Sequence, residues 1–350
     1  MLRNDIYRIV DANINRASEA LRVLEDWSRF IKEDSLTSQK LKNIRHKLNS
    51  IYLSIPNLVF NRESTNDLGR NIENTTKRKC LRDILSANCK RAEEALRVLS
   101  EYGQLIGLDI KNLEESRYEV YTLEKELLKK EKLIRLNNAK LYLITNRDNF
   151  NSDKEFLDTI KSSIEGGVNI IQLREKNESG KNILKLSKDI KEIIANINPD
   201  VLFIMNDRVD IALACNADGV HLGQDDLPIS EARKITPDGF IIGLSTHSID
   251  QGTAGLKSEA DYLGVGPVFE TPTKPSYKPV GLEYVKWAKD NLINIPWFAI
   301  GGINETNINK IIDTGASRVA IVRAIIDSKD PCTTTKQLKE HLQGNVKLNA

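Results

Sequence analysis

Short apolar runs alternate with longer amphipathic stretches through the second part of the chain. The runs predict eight strands: Leu141–Thr145, Ile170–Arg174, Leu202–Asn206, Gly219–His221, Ile241–Ser245, Tyr262–Val265, Trp297–Ile300 and Arg318–Val322. Each is followed by a stretch of helical period, the pattern of repeated β/α units. Between residues 139 and 345 this repetition predicts a (β/α)8 TIM barrel. An open doubly wound sheet is the alternative. Its glycine fingerprint would follow the first strand, where Thr145-Asn146-Arg147-Asp148 stands instead.

Residues 1–138 have only the helical period, and they repeat themselves. Ala12–Leu24 and Ala87–Leu99 align at an offset of 75, with ten of thirteen positions identical. Ala17, Ala20, Leu21 and Leu24 fall on one helical face, and Asn13 and Asn88 are expected near helix starts. A second helix is expected after each copy, roughly Ser38–Leu53 and Asn112–Leu136. The sum is an all-α domain built from a duplicated helical hairpin. Asn57–Thr76 reads as loop, and the join to the barrel domain is expected at Lys132–Asn138, where polarity continues from the last helix.

Composition adds exclusions. With 350 residues, 40% hydrophobic and 29% charged, the chain has room for two folded domains. The net charge of +2 makes no claim on nucleic acid. The start, MLRNDIYRIV, lacks the apolar core of a secretion signal, and no run reaches a membrane span. The four cysteines lack metal-ligand spacing and read as reduced thiols. A cytoplasmic enzyme is expected, with a homo-oligomer left open.

The chemistry gathers at the predicted strand ends, where parallel α/β folds place their sites. The third and fourth strands finish in Asn206-Asp207 and Gln224-Asp225-Asp226. Adjacent parallel strands would set Asp207 beside Asp226, a pair suited to Mg2+, which takes few protein oxygens and completes its shell with phosphate. The second strand ends Gln172-Leu173-Arg174-Glu175-Lys176, whose alternate residues 172, 174 and 176 share one side. The fifth offers Ser245 and His247, and the loop after the sixth offers Thr271, Thr273 and Lys274. Gly301-Gly302 and Val322-Arg323 end the seventh and eighth, the recurrent phosphate site of this fold. His221, within a strand, reads as a packed core residue, while His247 reads equally as pocket or surface. The inventory describes two phosphorylated substrates, a Mg2+-bound pyrophosphate and a monophosphate.

In the helical domain the polar residues kept in both copies are Arg16, Glu19 and Arg22, and Arg91, Glu94 and Arg97. They read equally as a solvated ladder or as two facing sets that bind phosphate. Asp67 in the intervening loop joins them as a candidate. No Walker-type loop is present, which excludes a P-loop kinase.

The runs QLREK, MNDRVDIALACNADGVHLGQDD, GLSTH, DYLGVGPVFETPTK and FAIGGI together resemble thiamine phosphate synthase over roughly residues 139–330. The resemblance implies condensation of hydroxymethylpyrimidine diphosphate with thiazole phosphate, releasing pyrophosphate. It implies that Gln172, Leu173, Arg174, Glu175, Lys176, Asn206, Ser245 and Lys274 hold the pyrimidine diphosphate, with Arg174, Lys176 and Lys274 catalytic. It assigns one Mg2+ to Asp207 and Asp226. It assigns the thiazole phosphate to Thr271, Thr273, Gly301, Gly302, Val322 and Arg323, the last a position where the family often has serine. The repeated ANxxRAxEALRVL motif resembles a helical domain fused to this synthase in some bacteria, which implies a hydroxymethylpyrimidine phosphate kinase using ATP. A non-catalytic dimerisation module is the alternative for this half. A thiazole phosphate isomerase or sensor is the alternative for the barrel.

Overall fold

The computed structural model describes residues 2–62, 77–272 and 278–344. The chain divides into two compact units, Met1–Glu131 and Lys132–Ala350. Among the described residues no helix is long and apolar enough to cross a membrane.

The first unit is helical: α1 (Leu2–Phe30), α2 (Ser35–Ser54), α3 (Leu81–Gly103) and most of α4 (Ile110–Asn138). The repeated segments lie in α1 and α3, which pack on each other. Ala17, Ala20, Leu21 and Leu24 of α1 and Ala92, Leu96 and Leu99 of α3 are fully buried. Small alanines on both faces allow the close approach. Asp34 caps α2 by accepting from the Thr37 N–H at 3.0 Å.

Asn13 and Asn88 are not near helix starts. Each sits mid-helix, buried, with its amide donating 2.8 Å back to the carbonyl four residues earlier, Ile9 and Ile84. The expectation took a polar residue for a cap; here the side-chain nitrogen bonds back along its own helix. Part of the expected loop, Leu58–Asn61, is a short 3-10 turn. Its successor Arg62 clasps buried Asp11 through two hydrogen bonds of 2.8 Å.

The expected join, Lys132–Asn138, is the end of α4, continuous with the last helix. It counts with the second unit, where Leu136 packs beneath the barrel interior with Ile170 and Leu202.

The second unit is the barrel. Its elements are β1 (Leu141–Ile144), α5 (Asp153–Gly166), β2 (Ile170–Leu173), α6 (Gly180–Ile197), β3 (Leu202–Asn206), α7 (Val209–Ala214), β4 (Gly219–Leu222) and α8 (Ile229–Ile235). They continue with β5 (Ile241–Thr246), α9 (Ile249–Leu256), β6 (Tyr262–Val265), α10 (Gly281–Asn291), β7 (Trp297–Ile300), α11 (Ile308–Asp313), β8 (Val319–Ile321), α12 (Arg323–Ile326) and α13 (Pro331–Gly344). The strands are parallel, each paired with the next, and β8 closes on β1.

Alternation along each strand separates two cores. Leu141, Leu143, Ile171, Leu173, Phe203 and Met205 point outward to the helices. Tyr142, Ile144, Ile170, Leu202, Ile204, Ile241, Tyr262 and Phe298 fill the interior. Serine caps at Ser152, Ser179 and Ser248 start α5, α6 and α9.

Candidate active site

The upper inward positions of the strands floor a cavity of about 410 Å3 at the carboxyl end of the barrel. Gln172, Asn206, His221, Ser245 and Ile300 meet there. The polar floor is one continuous hydrogen-bond network. Gln172 Nε2 donates to Tyr142 Oη at 2.7 Å, and the Tyr142 and Tyr262 hydroxyls are 2.8 Å apart. Tyr262 Oη lies 3.0 Å from His221 Nδ1, and His221 Nε2 lies 2.8 Å from Ser245 Oγ. Burial pushes both phenols above the usual tyrosine range. The core position expected for His221 is therefore half of its role: it is buried, but it also faces the cavity. His247 lines the same cavity, with Nδ1 2.6 Å from the Gly266 carbonyl.

Asp207, Asp226 and Lys176 adjoin this cavity through Asn206 and Arg174 but are not in its lining. Asp207 has φ +57°, a left-handed conformation that Asp tolerates better than most residues. Its N–H donates to the His221 carbonyl at 2.9 Å. Burial, reinforced by the neighbouring Asp226 carboxylate, raises the Asp207 carboxyl above its ordinary value, and Lys176 opposes the rise. The Asp226 carboxylate accepts the Gly223 N–H at 2.6 Å, which fixes the turn after β4.

The QLREK run splits by its alternation. Gln172 is in the floor, Arg174 in the cavity wall, and Lys176 reaches Asp207 at 3.1 Å. The Leu173 side chain is fully buried in the outer core, because odd and even strand positions face opposite ways. Glu175 helps line a second cavity of about 360 Å3, with Arg174, Lys176, Asp148 and Glu178. Burial pushes its carboxyl up to about 7; Arg147 opposes this, while Asp148 and Glu178 add to it.

The opposite wall is backbone. Gly301 and Gly302 have φ of +101° and +66°. A Cβ on Gly301 would stand 2.4 Å from the Pro267 Cβ, and one on Gly302 would stand 2.5 Å from the Glu270 carbonyl oxygen. Only glycine allows the loop after β6 to lie this close to the end of β7. Thr271, Val322 and Arg323 complete this side, with Arg323 Nε 3.3 Å from Asp327. Thr273 and Lys274 lie outside the described residues, as does Asp67 of the helical unit.

The repeated charges of that unit, Arg16, Glu19, Arg22, Arg91, Glu94 and Arg97, are all exposed. Arg22 pairs with Asp26 at 3.1 Å and Arg97 with Glu101 at 2.5 Å, each within its own helix. Among the described residues no ion pair joins one set to the other.

Sequence reasoning missed Tyr142 and Tyr262, and also Glu270, Asn304 and Glu305, which line the cavity. A signal for the tyrosines existed: each carries a hydroxyl at an inward position of an otherwise aliphatic strand, and a buried hydroxyl needs a partner. The other three lie on loops, where no periodicity points.

Residues 141–325 match the family model described as thiamine monophosphate synthase, and residues 8–126 match the ThiD2 family. The chain is 41% identical over 343 residues to a thiamine-phosphate synthase of Synechocystis sp., covering 96% of each. It is 39% identical over 340 residues to that of Nostoc punctiforme, covering 96% of this chain and 94% of the relative. A solved thiamine phosphate pyrophosphorylase from Pyrococcus furiosus superposes with TM-score 0.54 at 34% identity, over 60% of this chain and 98% of that one.

Proposed function

The chain belongs to the thiamine-phosphate synthase family, and from that premise we propose how its barrel joins a pyrimidine diphosphate to a thiazole phosphate. The observation that carries the reading is an asymmetric cavity. A cationic and carboxylate edge, Arg174, Lys176, Asp207 and Asp226, stands on one side, and a glycine wall stands on the other.

The diphosphate of 4-amino-2-methyl-5-hydroxymethylpyrimidine lies on Arg174 and Lys176, and Lys274 is assigned to the same phosphates. Its ring rests on Gln172, Asn206 and Ser245. The thiazole phosphate sits on the N–H groups at Gly301, Gly302, Val322 and Arg323, with the Thr271 hydroxyl beside it, and Thr273 is assigned to the same phosphate. The donor set at Asp207 and Asp226 fits Mg2+. The Asp226 carboxylate raises the proton affinity of Asp207, and a hard divalent ion needs only one or two such ligands plus phosphate oxygens. Mg2+ held there would supply charge neutralisation for the diphosphate.

Bond breaking takes the electron pair of the methylene C–O bond onto pyrophosphate, where Arg174 and Lys176 stabilise the growing charge. The 4-amino group feeds electrons to the methylene carbon. The thiazole nitrogen, already unprotonated, then forms the new C–N bond, so no general base is required. Holding both rings in one cavity removes the cost of their encounter.

The helical unit is assigned phosphorylation of the pyrimidine monophosphate from ATP, on the basis of its repeated motif. One observation favours the second reading, a non-catalytic scaffold: the repeated charges lie exposed, and Arg22 and Arg97 pair along their own helices. One assay addresses both halves. The whole chain receives thiazole phosphate, Mg2+ and either the pyrimidine diphosphate, or the monophosphate with ATP. Thiamine phosphate from the first mixture is expected; its absence would overturn the barrel assignment. Product from the diphosphate alone would leave the helical unit a scaffold.

A further inference from the structure

The floor network has a direction, and the direction decides what the floor offers a ligand. Gln172 turns its amide nitrogen toward Tyr142 Oη. An amide nitrogen only donates. The Tyr142 oxygen therefore accepts this bond and keeps its own hydrogen to give; the other oxygen in reach is Tyr262 Oη at 2.8 Å, a contact in which either hydroxyl can donate. In the order that uses the Tyr142 hydrogen, Tyr262 accepts it and gives its own to His221 Nδ1 at 3.0 Å. With Nδ1 an acceptor, the neutral imidazole carries its proton on Nε2 and donates to Ser245 Oγ at 2.8 Å. Ser245 faces the cavity with one hydroxyl hydrogen left to give.

We propose that Tyr142 and Tyr262 are positioning residues that hold His221 in its Nε2–H form, so that Ser245 meets the pyrimidine ring as a hydrogen-bond donor. The proposal deepens the assignment of the pyrimidine to this floor and rests on it. A 4-aminopyrimidine presents a bare ring nitrogen beside its amino group and accepts such a bond. A 4-oxopyrimidine carries N–H at that place, so it can use only the remaining lone pair of Ser245 and leaves the serine hydrogen without its ring acceptor. The chain of tyrosines thus makes the floor selective for the amino form.

Three further features support the relay. Burial keeps both phenols protonated, so neither reverses the chain by becoming a pure acceptor. The imidazole stacks on the Tyr262 ring with centroids 5.4 Å apart. Glycine at 243 makes room for that ring, since a Cβ there would lie 2.1 Å from Tyr262 Cζ. The two rings are held by packing as well as by their hydrogen bonds.

The test has two arms. In the first, the full-length protein labelled with 15N-histidine is read by long-range 1H–15N correlation, with His221 assigned by loss of its signal in His221→Gln. A pyridine-like Nδ1 and a protonated Nε2 are expected. A proton on Nδ1, or on both nitrogens at neutral pH, would overturn the proposal. In the second, Tyr262→Phe and Tyr142→Phe are assayed kinetically. The KM for the pyrimidine diphosphate should rise about tenfold, the weight of one hydrogen bond, while the KM for thiazole phosphate holds. The ratio of inhibition constants for 4-oxo and 4-amino pyrimidine monophosphates should fall in parallel. Variants that keep the wild-type ratio and the wild-type imidazole signals would also overturn it. An unaltered chain that couples nothing would instead remove the reaction assignment, and the imidazole result would stand independently.

Discussion

The Lys176 ammonium lies 3.1 Å from the Asp207 carboxylate, although the two residues follow different strands. The register explains the meeting: Leu173 of β2 pairs with Met205 of β3, so the residues just past each strand end emerge side by side. The lysine partly offsets the crowding of Asp207 by Asp226.

Asp207→Asn should therefore reduce coupling by at least about 100-fold, the scale of losing a charge-stabilising group. Asparagine tolerates the left-handed backbone at this position, so the thermal midpoint should stay near wild type. Steady-state kinetics and a melt on the same sample check both halves; a fully active Asp207→Asn would remove the carboxylate from the mechanism.

Gly302→Ala places a Cβ 2.5 Å from the Glu270 carbonyl oxygen at a φ of +66°. The loop after β6 must shift, and with it the wall that faces the thiazole phosphate. Stability should fall by about 1–3 kcal/mol, and the KM for thiazole phosphate should rise more than that for the pyrimidine diphosphate. Equal KM values in variant and wild type would refute that placement of the phosphate.

Glu175 gives a pH dependence with a definite sign. Its carboxyl is raised to about 7 in the folded chain from an ordinary value of 4.5, chiefly by burial. The folded state then binds the proton more tightly, so this group's stabilisation is full below about pH 4.5 and is lost as pH rises through about 7. Glu175→Gln removes this titrating group. Chemical denaturation at pH 5 and pH 8 should show wild type losing more stability than the variant across that interval. Parallel losses would contradict the shift.

Leu136 closes the lower end of the barrel interior and is almost wholly buried. Leu136→Ala should cost about 2–5 kcal/mol through lost burial and a cavity. The urea midpoint of the transition that abolishes coupling activity should fall accordingly, with kcat unchanged in the absence of urea. An unmoved midpoint would mean that α4 contributes nothing to the barrel.

Much of this protein was legible in its residues because periodicity is a local property. The alternation of short apolar runs with helical stretches determined the eight strands, often to within a residue, since each run had to be buried and each turn to be polar. The repeat at Ala12 and Ala87 marked the helical unit, and the polar strand ends marked the mouth of the barrel. What periodicity could not decide was direction and partnership. Leu173 stands between two site residues yet faces the outer core, because strand phase sends neighbours to opposite sides. Asn13 and Asn88 look like caps but bond to their own helices. The relay from Gln172 through Tyr142, Tyr262 and His221 to Ser245 draws on five strands. Only closure of the sheet brings those strands within hydrogen-bond distance, so the order of donors and acceptors on the floor belongs to the tertiary structure alone.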